Sequence, residues 1–347
     1  MFARGWQVGL IGAVISAAAV IAILSQVDLR LLGDALAQAR YVYLIPTFLL
    51  LFAGQVTRAA RWRALLNGGL RLGRAFRILN VSYLVNGVLP LRLGEVARVY
   101  LATRAEPPVR LFTSASTVIV ERLLDLLAVL ILLGAALAIS PTLPAEYRTA
   151  GFAGALTLSA GFAVLVVLAN QRNLAHRLFG LVERAVPAAL RRRAAGWLDS
   201  FLDGLLPLAR LDMLLTVLFW TGVSWGLSAA AGYVLMFAFF DQASWAATFL
   251  YIAAAAFAIA VPAVPGNIGT YEWAVMLALS ALGYGEPTNP VLVSFAVVVH
   301  GVNLALYAVF GGVGIVQEGM TLGQLAQEAQ RMNRIEAASR DHLEYVE

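Results

Sequence analysis

The sequence predicts an all-α fold, a polytopic membrane helical bundle, on three observations. Of 347 residues, 61% are hydrophobic and only 13% charged, about half the charge of an ordinary soluble domain. The mean hydropathy is +0.79. The apolar residues fall in runs of about 20, the length that crosses a bilayer core of about 30 Å. Little chain is left for a separate soluble enzyme domain.

Six full spans are predicted, at residues 6–26, 41–57, 112–139, 149–169, 213–240 and 290–316. The first follows Arg4 and is read as a retained helix, because Ser25, Gln26, Val27 and Asp28 follow it where a signal peptide would carry a small-residue cleavage site. Two more apolar stretches, 76–104 and 245–283, are interrupted in their middles and read as re-entrant helix pairs. Residues 245–264 alternatively make a full crossing, which gives eight spans with the same parity.

Arginines orient these elements. Segments 57–77 and 170–212 carry 13 arginines, against three (Arg30, Arg40 and Arg148) in the loops of the opposite side. The positive-inside rule then places both termini in the cytoplasm. Trp197, Phe201 and Leu205 recur at i, i+4, i+8 opposite Asp199 and Asp203, which predicts a helix lying in the interface. Residues 1–316 form one transmembrane domain, and 317–347 a cytoplasmic tail with a short amphipathic helix around Leu322, Leu325, Ala329 and Met332.

The two interruptions share a pattern. Pro90 and Gly94 precede Glu95, and Pro265, Gly266 and Gly269 precede Glu272. Proline removes a backbone donor and glycine permits sharp turns, so each segment breaks a helix and leaves amides that lipid cannot satisfy. Residues 1–139 and 149–316 are then expected to be inverted repeats, each with three spans and one broken pair, an architecture that places substrate near the midplane.

Charge inside the hydrocarbon is the strongest functional signal. Glu121, Arg122 and Asp125 lie in one span, with Glu121 about 14 Å deep. Unpaired, each costs about 2.5–3.5 kcal/mol at the bilayer centre. Glu121 and Asp125 share a face at i, i+4 and repel unless a cation sits between them; the candidates are Arg58, Arg61, Arg92 and Arg98. Two readings stay open: an ion network that holds helices together, or a polar cavity whose arginines bind phosphate through bidentate bonds while its acids balance the site or engage a cationic headgroup.

Other residues point to structure. His300 and Asn303 are read as a satisfied polar pair, and Trp62, Trp220, Trp225 and Trp245 as interface anchors. Arg191–Arg193 read as topology signal and anionic-lipid contact, not a nucleic-acid site. The chain has no cysteine, and His176, His300 and His342 are too far apart for a local metal motif. No metal or cofactor is expected, and phosphate-cradling glycine loops and nucleophile elbows are absent. All 25 basic residues are arginine, which reflects either nucleotide composition or a phosphate-binding surface.

Four separated motifs in order carry a family resemblance: Arg58-x-x-Arg61-Trp62; Asn86 to Pro90 with Arg92-Leu93-Gly94-Glu95 and Arg98; Glu121-Arg122-x-x-Asp125; and Pro265-Gly-Asn267-Ile-Gly269 with Glu272. Together they resemble the flippase-like family named for the transmembrane region of lysylphosphatidylglycerol synthase. The resemblance implies an inner-membrane protein that moves a phospholipid or lipid-linked headgroup between leaflets. Its soluble aminoacyl-transfer domain has no counterpart here. The site expected from these motifs comprises Arg58, Arg61, Asn86, Arg92, Glu95, Arg98, Glu121, Arg122, Asp125, Asn267 and Glu272. The alternatives are a membrane-embedded transferase using Glu121 or Asp125 as base, and a non-catalytic partner of a lipid-modifying synthase.

Overall fold

The computed structural model describes residues 28–89, 92–140, 170–183, 210–260 and 265–321, with scattered positions in 149–167 and 323–328. Every regular element among them is helical: α1 (Leu29–Gln38), α2 (Leu44–Leu65), α3 (Leu72–Val88), α4 (Leu93–Thr103), α5 (Leu111–Ile139), α6 (Arg172–Glu183), α7 (Leu211–Met236), α8 (Trp245–Ala260), α9 (Thr270–Ser280) and α10 (Pro290–Gln317). Single 3-10 turns precede α2, at Tyr41–Tyr43, and α9, at Pro265–Asn267.

Four of the predicted spans are present as helices long and apolar enough to cross a membrane: Tyr41–Leu65, Thr113–Ile139, Leu211–Met236 and Pro290–Gln317. The span at 6–26, the interfacial helix around Trp197, the Arg191–Arg193 run and the tail beyond 328 lie outside the described residues. So does most of 149–169, whose described positions are helical. Apolar side chains such as Ile45, Leu49, Leu215, Phe219 and Val316 remain exposed on the outer faces, where lipid rather than water is the compatible cover.

Two boundaries differ from expectation. α2 runs to Leu65 instead of ending near 57, so Arg58, Arg61 and Arg63 sit inside the helix and not in the loop that follows. The helix tolerates Arg61 because carboxylates of α5 neutralise it, as described below. The stretch 27–40, expected to be a plain loop, contains α1. The Asp28 carboxylate caps it by accepting from the amides of Arg30 and Leu31 at 2.8 and 3.4 Å, and α1 packs on α10.

Both interrupted stretches are pairs of short helices. At about 1.5 Å per residue, α8 is roughly 24 Å long and α9 roughly 16 Å, each short of the hydrocarbon thickness. Gly94 sits where a Cβ would collide with the Ser82 carbonyl and the Asn86 side chain, so α3 and α4 fold back closely only because that position lacks a side chain. Asn86 Oδ1 accepts from the Gly94 amide at 2.8 Å and satisfies one donor at the start of α4. Arg92 precedes α4 with φ of +52°, and Gly266, Asn267 and Gly269 have φ of +63°, +53° and +87°, left-handed conformations that glycine adopts without penalty. Pro90 lies outside the described residues.

Helix neighbours form a regular pattern. α2 packs along α7; α3 lies on α10, as α8 lies on α5; α3 packs with α4, as α8 does with α9; and α4 meets α5, as α9 meets α10. Exchanging the set α2–α5 for the set α7–α10 leaves the pattern unchanged. The central pair is antiparallel: Thr47 reaches Ala231, Thr57 reaches Ser224 and Arg61 reaches Thr221. Segments that the arginine pattern assigns to one face also touch. Arg40 donates to the Phe240 carbonyl at 2.7 Å, and at the other end Arg74 pairs with Glu318 at 3.0 Å.

Candidate functional site

A cavity of about 540 Å³ opens between α2, α3, α5, α7, α8 and α10, beside both helix breaks. The breaks touch each other there. A Cβ on Gly266 would stand 3.1 Å from the Gly87 carbonyl, and Arg92 Nη2 donates to the Ile259 carbonyl at 2.8 Å. Ile259 belongs to the last turn of α8, whose terminal carbonyls have no intrahelical donor, so the first break supplies a hydrogen bond that the second lacks.

Seven intramembrane charges form one alternating chain: Arg92, Glu95, Arg122, Asp125, Arg61, Glu121, Arg98. Successive ion pairs measure 3.6, 3.0, 3.8, 2.8, 3.5 and 2.5 Å. Arg61 is therefore the cation that lets Glu121 and Asp125 share a helix face. Arg61, Arg98 and Glu121 are each only 2% exposed and are absent from the cavity lining. Arg98 also lies 3.9 Å over the Trp62 ring, a desolvated cation–π contact. Taking one partner out of such a network leaves a buried charge uncompensated, at a cost of about 3–5 kcal/mol.

The lining face differs from this buried end. Arg58, Arg92, Glu95, Arg122 and Asp125 border the cavity with Asn86 and Asn267. Among the described residues, Arg58 has no carboxylate within ion-pair distance; Nη2 donates to Ser228 Oγ at 3.1 Å, and the guanidinium carbon lies 5.9 Å from the Trp225 ring. Tyr83 and Tyr307, 5.0 Å apart between ring centroids, stand on the same wall. The expected site residues thus divide into two groups, and the four arginines do not converge on one point.

At the second break Glu272 is 8% exposed. One carboxylate oxygen accepts from the Gly269 amide at 2.6 Å, and the other lies 2.7 Å from His300 Nδ1. The His300 ring stacks on Tyr271 at 4.1 Å. Here the expected partnership of His300 with Asn303 is corrected: Asn303 donates to the Val299 carbonyl, and both side chains line the cavity. Two tryptophans are likewise not interface anchors. Trp62 is fully buried, donating to Thr117 Oγ1 at 3.0 Å, and Trp225 donates to Asp125 Oδ1 at 3.2 Å. Trp245 does stay 43% exposed, stacked on Tyr233.

Sequence reasoning missed Ser228, Tyr83 and Tyr307. A signal for the first exists: Thr221, Ser224 and Ser228, at i, i+3 and i+7, draw a polar stripe along an otherwise apolar helix. The tyrosines carry no such signal, since an aromatic in a membrane helix is ordinary.

Buried ion pairs between helices, two broken helices in contact and a polar cavity beside them define a multi-pass helical membrane protein with an internal polar site. The family model described as Lysylphosphatidylglycerol synthase TM region matches residues 9–311, and the chain belongs to that family. No curated protein and no solved structure matches it. Membership makes this a membrane protein linked to lipid modification.

Proposed function

We propose that the protein is a lipid translocase: a phosphate-bearing headgroup, from a phospholipid or lipid-linked compound, enters the cavity between α2, α7 and α10 and leaves into the opposite leaflet while its acyl chains stay in lipid. The single observation that carries this reading is Arg58, a guanidinium that among the described residues has no carboxylate within ion-pair distance and that lines a polar cavity inside the bundle. A cation left so at membrane depth costs several kcal/mol unless an anion or water meets it. An ion network serving only to hold helices together would have no use for that surplus group.

In this reading residues 1–139 and 149–316 are inverted repeats, with broken pairs α3–α4 and α8–α9 entering from opposite faces. The exchangeable neighbour pattern supports this, and so does the antiparallel α2–α7 pair, because a two-fold axis in the membrane plane makes equivalent helices antiparallel. The protein then lies in the inner membrane with both termini cytoplasmic. The transferase alternative loses ground because Glu121 and Asp125 are each held by two guanidiniums, which leaves neither free to act as a base.

The test is reconstitution of the purified chain into vesicles carrying lipids labelled on one acyl chain, followed by dithionite quenching, with and without an imposed ion gradient. Protein should raise the fraction of label reached from outside from about half towards completion. Quenching that stops at the protein-free level for every headgroup tried overturns the reading.

A further inference from the structure

Resting on that reading, we infer the headgroup class: the cavity is built for a net-anionic phosphate whose remaining polar group is uncharged, such as a polyol or sugar phosphate, and it selects against headgroups that add an ammonium. The charge balance runs along the chain of ion pairs. That chain begins and ends on arginine, so each of its three carboxylates already lies between two guanidiniums: Glu95 between Arg92 and Arg122, Asp125 between Arg122 and Arg61, Glu121 between Arg61 and Arg98. Counted over the whole network, its buried end and its cavity-lining end together, five arginines including Arg58 stand against three carboxylates. Glu272, beside the cavity-lining His300, does not reverse the sign, and its oxygens are taken by His300 and the Gly269 amide. A positive surplus remains whether His300 is neutral or protonated.

An ammonium entering this cavity would have to displace an arginine from a carboxylate in a low-dielectric site, where like charges repel strongly. A phosphate does the opposite. It meets the guanidinium of Arg58, which bonds the Ser228 hydroxyl and, among the described residues, no carboxylate, and removes the surplus; charge-assisted bonds of this kind are about twice as strong as neutral ones. Other polar groups on the walls include the hydroxyls of Ser228, Tyr83 and Tyr307 and the amides of Asn86, Asn267 and Asn303. They can donate to and accept from hydroxyls, which suits a polyol and offers an ammonium no compensating charge.

Two measurements on the full-length chain test this. In detergent, thermal unfolding is followed with short-chain phosphatidylglycerol, short-chain lysylphosphatidylglycerol, short-chain phosphatidylcholine or free glycerol phosphate added. Phosphatidylglycerol should raise the melting temperature, and the two lipids bearing an added cation should not. A shift with glycerol phosphate of the same size would assign recognition to the phosphate polyol alone, whereas a shift confined to the lipid would show that the acyl chains are also required; both keep the charge rule.

In vesicles, acyl-labelled phosphatidylglycerol should cross at least ten times faster than lysylphosphatidylglycerol. Arg58→Gln should lose most of that rate and the thermal shift, with Arg58→Lys recovering part of each; Ser228→Ala serves as the milder variant should Arg58→Gln fold poorly. Equal or preferred movement or binding of the lysyl lipid overturns the charge inference while leaving a translocase intact. No movement of any lipid overturns both.

Discussion

Arg92 Nη2 lies 2.8 Å from the Ile259 carbonyl, although the two residues belong to different helix breaks 167 positions apart. This bond joins the left-handed corner before α4 to the end of α8, so the two interruptions form one junction at the cavity. Arg92→Ala should remove the bond and the contact to Glu95. We expect lost lipid movement and a stability loss of about 0.5–1.5 kcal/mol, from the hydrogen bond removed. Arg92→Lys should restore little, because one ammonium cannot reach both partners in the guanidinium geometry. A thermal melt unchanged in Arg92→Ala would mean that the breaks are held together by other contacts.

The buried and the lining halves of the ion-pair chain should separate in mutants. Glu121→Gln leaves Arg61 and Arg98 short of a charge with no water to screen them, and should cost about 3–5 kcal/mol, seen as low yield of monodisperse protein. Arg58→Gln removes a charge that has no carboxylate within ion-pair distance among the described residues, and should leave stability level or improved while losing most of the transport. If both variants lost stability alike, Arg58 would belong to the structural network.

Gly94→Ala should be strongly destabilising, because its methyl group would meet the Ser82 carbonyl and the Asn86 side chain; overpacking of this kind costs about 1–3 kcal/mol or more. Gly301→Ala is the matched control. Nothing lies within 4 Å of that Cβ position, and alanine is the better helix former by about 1 kcal/mol. Melting temperatures of the two variants should move in opposite directions.

Glu272→Ala should fray the start of α9, since the carboxylate accepts from the Gly269 amide at 2.6 Å and also holds His300. Loss of such a helix cap costs about 0.5–2 kcal/mol. Hydrogen exchange at Gly269–Trp273 should quicken while that of α2 stays unchanged. Uniform quickening across the molecule would instead show that Glu272 supports the whole bundle.

The absence of cysteine from the chain allows a direct probe of water in the cavity. Single cysteines at Ser228 and Asn303, which both line it, should react with a charged maleimide in vesicles. A cysteine at Phe219, 60% exposed on the outer face of α7, should not, because lipid covers that face. Equal inertness at all three positions would mean a dry interior.

Much of this molecule was legible in the sequence because hydrocarbon is an unforgiving solvent. Runs of apolar residues long enough to cross it marked α2, α5, α7 and α10; proline and glycine marked both breaks; and Glu121, Arg122 and Asp125 marked where polar surroundings had to exist. The need for a cation between Glu121 and Asp125 followed from helix periodicity alone. Which arginine supplies it did not, because Arg58, Arg61, Arg92 and Arg98 are equivalent in composition and differ only in where neighbouring helices place them. Tertiary packing buries Arg61 and Arg98 against carboxylates, ties Arg92 to the other break, and leaves Arg58 facing the cavity. Pairing energy depends on distances of a few ångströms between segments remote in the chain, and that information exists only once the helices have packed.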